Sequence, residues 1–250
     1  MTVIRIDTHT HTVASSHAFS TISENAASAA EAGLEMIACT DHGPGLEDGA
    51  SRIYFKNMRC VPRFISGVAI LRGIEANIDD KGHLDCSPAM REGLDIVMAG
   101  FHAPVYSRDQ GPGVNTEVLR RVMASGVVDV ITHPANMRYP VKLRRLAQAA
   151  KQHNVALEIN ASVYTRRDSF DMAWHLAKMA YEVGAPLVMG SDAHICFDVG
   201  KFDLGYEILK AAQVDPEYLI NSSPARLLEF LEKRGHGGLE EFKARFGSRS

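Results

Sequence analysis

Seven short apolar runs punctuate the chain, each followed by a stretch that suits a helix. They are VIRI from Val3, MIACT from Met36, VAILRGI from Val68, DIVMAG from Asp95, VVDVIT from Val127, VALEIN from Val155 and PLVMGS from Pro186. Runs this short and this rich in β-branched residues suit strands buried on both faces. Strands of that kind, alternating with helices, make a mainly parallel sheet. Helices are predicted over residues 20–32, 115–124, 143–153 and 170–183, with Gly33, Gly126 and Gly184 placed where a left-handed residue closes a helix. Near the end, NSSPARLLEFLEKRG predicts Ser223 as N-cap, Pro224 at the first helical position, a core stripe of Leu227, Leu228 and Leu231, and Gly235 as the stop. The expected class is α/β, and connections of this length suit a doubly wound sheet or a closed barrel.

A chain of 250 residues without a linker, a repeat or a low-complexity tract is expected to be one domain, with a helical C-terminal extension from about residue 216. Its 46% apolar content is enough for a sizeable core. Lys+Arg number 27 against 30 Asp+Glu, with no basic stripe, so extended nucleic acid is a poor partner. The opening MTVIRIDTHT lacks the pattern of a secretory signal, and no segment approaches the roughly 18 apolar residues of a membrane span. The expected location is the cytoplasm. Cys39, Cys60, Cys86 and Cys196 are scattered without a C-x-x-C pair and are expected to be buried, reduced thiols.

The unusual residues fall where the strands end. His9 and His11 follow the first run, Asp41 and His42 the second, Glu75 the third, His102 the fourth, His133 the fifth, and Asp192 with His194 the seventh. In a parallel barrel or sheet all these ends share one rim, where sites form. With His17, seven of the eleven histidines converge there; His83, His153, His175 and His236 lie elsewhere. Alternation along an extended segment predicts that Asp7, His9 and His11 share a face, as do Asp192 and His194. A lone His-x-His is often an ordinary pair of satisfied histidines, and Glu75 or Asp192 alone is often a cap. Joint placement at successive strand ends is what points to metal. Imidazoles and carboxylates without thiolates suit zinc, manganese or iron, and nine such groups suffice for two or three ions with positions left open for water.

Around this set, Asp7 and Asp41 are candidates either to orient imidazoles or to cap loops, and Asn160 either to contact the site or to make a turn. Arg59 and Arg72, like Arg52, are candidate forks for a phosphate, against the commoner role of surface arginines. Arg166 and Arg167 read as a solvated loop.

The motifs DTHTHT, TDHG, RGIEANI, AGFH, ITHP and GSDAH, in this order, resemble the polymerase-and-histidinol-phosphatase (PHP) superfamily. VASSHAFST, NMRCVPR and INSSPARLLEFLEKRG extend the resemblance to its YcdX-type bacterial phosphatases over nearly the whole chain. The resemblance implies a distorted seven-stranded (β/α)7 TIM-like barrel, the PHP fold, with a trinuclear and usually zinc centre. By motif, His9, His11, Glu75 and Asp192 would hold the first ion, Glu75 as a bridge with His102 and His133 the second, and His17, His42 and His194 the third. It also implies a small phosphorylated substrate and homo-oligomers, trimers among them. Departures from the pattern lie in loops, around Ser107 to Gly113 and Tyr164 to Ser169.

The expected activity is hydrolysis of a small phosphomonoester by a metal-bridging hydroxide, with no protein nucleophile and zinc the expected metal over manganese or iron. The rivals are a phosphodiesterase or exonuclease on the same metals, which would want a basic groove, and an amidohydrolase-type C–N or C–O hydrolase. The latter usually brings a bridging lysine from a middle strand, where this chain has Glu75 and His102. A non-catalytic binding module would show lost ligands.

Overall fold

The computed structural model describes residues 4–108, 110–162 and 167–247. Seven parallel strands form a nearly closed barrel: β1 (Ile6–Thr10), β2 (Met36–Cys39), β4 (Val68–Asn77), β5 (Ile96–Gly100), β6 (Val130–Ile131), β7 (Ala156–Asn160) and β8 (Leu187–Gly190), hydrogen-bonded in that order. A two-residue strand, β3 (Phe64–Ile65), pairs antiparallel with the start of β4. The open-sheet alternative is therefore excluded.

Helices follow the strands: α1 (Ile22–Glu31), α2 (Arg52–Asn57), α3 (Pro88–Arg91), α4 (Gly111–Ala124), α5 (Leu143–His153), α6 (Arg167–Val183) and α7 (Asp203–Ala212). Thr21 and Glu24 close a reciprocal capping box on α1, satisfying first-turn N–H groups. Gly33, Gly126 and Gly184 all take the left-handed conformation after α1, α4 and α6. α2, α3, α7 and β3 lie outside the sequence reading; α2, α3 and β3 are too short to carry a period, whereas α7 buries Gly205, Ile208, Leu209 and Ala212 at helical spacing, a pattern that reading missed.

The ends of β1 and β8 meet at the seam of the barrel. At the rim Thr10 forms a parallel bridge with Ala193, and His11 N donates to Ala193 O at 2.9 Å. Lower down, the buried Asn221 side chain fills the gap: its Nδ2 donates to Ile6 O at 3.0 Å and Met189 O at 2.8 Å, and its Oδ1 accepts from Met189 N at 3.1 Å. A side-chain amide has the donors and acceptor of a peptide, so it substitutes for a missing length of strand.

Two apolar clusters follow from strand alternation. The larger lies between strands and surrounding helices and includes Ile37, Ile74, Val97, Leu157 and Met189. The second fills the barrel: Ile6, Met36, Leu71, Met98 and Val188 meet Leu227, Leu228 and Leu231 of α8 (Pro224–Lys233) and Phe242 of α9 (Glu240–Phe246). Ser223 caps α8, its hydroxyl accepting from Arg226 N, as the sequence predicts. The C-terminal helices are thus packed against the barrel's inward side chains at the end away from the rim, and burying those leucines removes apolar surface worth roughly 1.5–3 kcal/mol per side chain.

One register irregularity corrects the sequence reading. The first strand begins at Ile6 instead of ending there, and Ile6 pairs with Met36 and Asp7 with Ile37, but the next pair is Thr10 with Cys39. One extra residue on β1 is a β-bulge, which shifts alternation by one position. Ile6 faces the barrel, Asp7 faces out with Ile37, and beyond the bulge His9 and His11 face in. Asp7 therefore does not share their face. The thiols are corrected too: Cys39 and Cys86 are buried, but Cys60 is exposed and Cys196 half-buried.

Candidate metal centre

Inward positions near the rim change from apolar to polar. Glu75 lies beside Met98 in the ladder and Glu158 beside Val188, and both of those neighbours belong to the inner cluster, so both acids project into the barrel. Two glycines make room. An added Cβ at Gly190 would stand 2.5 Å from Glu158 Oε1 and 2.6 Å from His9 Cβ, and one at Gly100 would stand 2.2 Å from Thr132 Oγ1 and 2.8 Å from His133 Cε1.

The nine groups anticipated as ligands come together at this rim. Glu75 is central and fully buried. Its Oε2 lies 3.3 Å from His9 Nε2, 3.6 Å from His11 Nε2 and 2.9 Å from His42 Nδ1. Its Oε1 lies 2.9 Å from His133 Nε2 and 3.3 Å from His102 Nε2. Asp192 Oδ1 stands 3.2 Å from His11 Nε2 and 3.5 Å from His9 Nε2. His17 and His194 meet at 2.8 Å between their Nε2 atoms. Three compact groups emerge among the described residues: His9, His11 and Asp192; His42, Glu75 and His102; and His11, His42 and His194. The third differs from the set implied by resemblance in bringing His11 near His42 and His194, while His17 reaches the same place through its contact with His194.

The donor set fits cations. His9 Nδ1 faces Glu158 Oε1 at 2.7 Å, His17 Nδ1 faces Asp48 Oδ2 at 2.7 Å, and His194 Nδ1 faces Asp192 O at 2.9 Å. Each contact engages the Nδ1 proton and leaves Nε2 as a lone pair in the neutral ring. Yet Nε2 atoms confront one another at 3.0 Å in His9 and His11, 2.8 Å in His17 and His194, and 3.1 Å in His102 and His133. Lone pairs so close repel unless a proton or cation lies between them. Two nitrogens about 2.0–2.1 Å from one tetrahedral ion stand roughly 3.3–3.4 Å apart, close to what is seen. His42 Nδ1 and Glu75 Oε2 approach without hydrogen-bond alignment, and both atoms, with His11 Nδ1 and His102 Nδ1, are buried without a hydrogen-bond partner.

Electrostatics follow the same geometry. Burial raises a carboxyl's pKa, but His102, His9 and His42 outweigh it and hold Glu75 well below the usual range. His9 is lowered by burial and raised more strongly by Glu158, Glu75 and Asp192. His11 goes the other way: burial and the neighbouring imidazole of His42 push it well below an ordinary histidine.

The other sequence candidates separate. Asp7 accepts from the backbone N–H groups of His9, Ser191 and Gly200, which makes it a loop cap. Asp41 accepts from Thr12 N at 2.7 Å, from Ser15 Oγ at 2.8 Å and from Tyr54 OH at 2.7 Å, so it clamps the loop leading to His17 and touches no imidazole. Asn160 does join the site, its Nδ2 donating to Glu158 Oε2 and Asp192 Oδ2 at 3.2 Å each. Arg72 spends its guanidinium on Val61 O, away from the rim, and neither it, Arg59 nor Arg52 lines the cavity above the histidines. That cavity measures about 570 Å³. Arg108 and Arg138 line it instead. Arg108 lies in the loop around Ser107 to Gly113 that departs from the family pattern, although neither arginine was itself a sequence candidate. Glu158 and Asp48 were also missed. Glu158 shows in the sequence only as one acid within the apolar run VALEIN, with nothing to say which face it takes, and Asp48 has no signal.

The pattern of PHP domains matches residues 7–162, which covers every strand that supplies these groups except β8. The chain belongs to the PHP domain family. Among PHP relatives, a probable phosphatase, YcdX, of Escherichia coli O81 is 45% identical over 240 residues, covering 95% of this chain and 98% of that one. A probable phosphatase of Shewanella amazonensis is 47% identical over 239 residues, covering 94% and 95%. In structure, this PHP chain is similar to a histidinol phosphate phosphatase from Lactococcus lactis solved with zinc, L-histidinol and phosphate. That match has a TM-score of 0.59 at 18% identity over 85% of this chain and 95% of the other. Among the described residues no helix is long and apolar enough to cross a membrane.

Proposed function

We propose that this protein is a metal-dependent phosphatase that hydrolyses a small phosphomonoester at a trinuclear centre of zinc type. The observation that carries the reading is Glu75, whose two carboxylate oxygens face separate histidine sets, as a bridging ligand requires. His9, His11, Glu75 and Asp192 would hold one ion, Glu75, His102 and His133 a second, and His17, His42 and His194 a third, with His11 close enough to adjust the third set. The relatives named as probable phosphatases and the zinc- and phosphate-bound fold relative support the chemistry.

Divalent ions there would supply Lewis acidity towards phosphoryl oxygens and a nucleophile drawn from water at neutral pH. The chain's own contribution is positional. Glu158 and Asp48 fix the tautomers of His9 and His17, and Asn160 ties Glu158 to Asp192. The cavity of about 570 Å³ admits a metabolite-sized ester. In this reading residues 1–250 act as one unit, with the helices from about residue 216 forming its base.

The test is to strip the protein with a chelator, reload it with zinc or manganese, and follow phosphate release from an aryl phosphate beside elemental analysis. Activity that returns with two to three bound ions, and that His9→Ala abolishes, is the expected result. Metal-loaded protein that releases no phosphate from any monoester would overturn the reading, and faster turnover of a diester would move it to phosphodiesters.

A further inference from the structure

Two arginines line the cavity from neighbouring loops. Arg108 comes from the loop between β5 and α4, and Arg138 from the next loop round the barrel, between β6 and α5. Both loops are anchored. Ser107 donates to Asp80 through its backbone N at 2.7 Å and its hydroxyl at 2.6 Å, and Tyr106 N donates to His102 O at 2.9 Å. On the other loop, Asn136 N donates to His133 O at 3.0 Å and Asn136 Oδ1 accepts from Arg138 N at 3.0 Å. Each arginine is thereby fixed a few residues from a histidine of the centre.

Some arginines elsewhere in the chain have internal work, while others, such as Arg52, Arg59 and Arg121, stand outside the cavity. Arg63 pairs with Asp95 at 2.6 Å, and Arg234 pairs with Asp129 at 3.2 Å while donating to three carbonyls. The guanidinium groups of Arg108 and Arg138 meet no acceptor among the described residues. Nor, among the described residues, does the cavity have an acid to spare for them. Asp48 is held by His17, Glu158 by His9, Glu75 by His133 and Asp192 by His11. The same cavity is also lined by apolar side chains, Phe101, Ala135 and Met137 among them.

We infer that Arg108 and Arg138 form a second anion site, and that the substrate carries a second negatively charged group, phosphate or carboxylate, separated from the scissile phosphate by a short, partly apolar body. This rests on the phosphatase reading above for what happens at the metal end, and adds what holds the far end. A guanidinium fork matches either oxyanion. The binding energy so gained is remote from the reacting bond and shows in kcat/KM.

The experiment compares wild type with Arg108→Gln, Arg138→Gln and the double variant on three substrates: an aryl phosphate, a phosphorylated hydroxy acid and a sugar bisphosphate. The expected result is higher kcat/KM for at least one doubly anionic ester. The double variant should lose about 10- to 100-fold more on that ester than on the aryl phosphate, mainly through KM. Preference for the acid or the bisphosphate assigns the second group as carboxylate or phosphate. Equal effects on all three substrates, or none, overturn the proposal. If no monoester is turned over at all, the phosphatase reading fails and the anion site is judged separately, by calorimetric titration of methylenebisphosphonate into metal-free protein. Weaker binding by the double variant then supports the site, and binding identical to wild type removes it.

Discussion

Glu158 and His9 make a fully buried contact, 2.7 Å between Oε1 and Nδ1, and the second oxygen of Glu158 accepts the backbone N–H of His133 at 2.7 Å. His133 has a φ of +31°, a conformation that costs energy for a residue with a side chain and persists only where neighbours impose it. One carboxylate therefore sets the tautomer of one candidate ligand and the backbone of another. Glu158→Gln is expected to lower metal affinity by about 10- to 100-fold with the far-UV circular dichroism retained. Competition against a fluorescent chelator measures this, and affinity equal to wild type would remove Glu158 from its positioning role.

Gly190 leaves the space that Glu158 and His9 occupy. Gly190→Ala places a methyl group 2.5 Å from Glu158 Oε1 and 2.6 Å from His9 Cβ, both in buried side chains that hold each other. The expected cost is about 1–3 kcal/mol in urea unfolding, together with fewer bound ions per chain by elemental analysis. Gly93→Ala, with no atom within 4 Å of the added Cβ, is the control and should leave metal content alone.

Asn221 closes the barrel where β1 and β8 do not pair directly. Asn221→Ala takes its hydrogen bonds from Ile6 O, Met189 O and Met189 N in a dry seam, of which Met189 O keeps the Thr8 hydroxyl, and should cost about 1–3 kcal/mol. Asn221→Asp should cost more, because its carboxylate would face two carbonyl oxygens. A denaturation series that ranks Asp as milder than Ala would contradict the seam role.

The C-terminal base carries a pH-dependent contact. His236 Nε2 meets Asp129 Oδ2 at 2.8 Å. Burial lowers the pKa of His236, but the hydrogen bond and charge of Asp129, with a further contribution from Asp95 and against Arg234, leave it raised. A histidine whose folded pKa is raised contributes stability that is full below its unfolded value near ~6.5 and is lost as pH rises through the folded value. Metal-free protein should therefore lose unfolding free energy over that interval above about pH 6.5, and His236→Gln should flatten the loss. Parallel pH curves for the two proteins would exclude His236 as the source.

The strand–helix rhythm was legible because each run is buried on both faces, which leaves an apolar signature in the local sequence. Helix α5 appears over the residues expected, and Ser223 caps α8 as its Ser-Pro start implies. The rim residues were legible because histidines and acids directly after apolar runs are conspicuous. Glu158 was not, since one acid inside a strand carries no mark of which side it faces, and Arg108 and Arg138 look like any solvated loop arginine until a cavity is seen beneath them.

By itself, then, the sequence determined the seven barrel strands, the longer helices between them and which ligand-type side chains lie at the strand ends, since these follow from interactions within a few residues. Only the tertiary structure decided which way those side chains point and what they meet. The bulge on β1 that turns His9 and His11 inward and Asp7 outward exists only as a register against β2, and Asn221 acquires its role only where β1 and β8, far apart in the chain, come together.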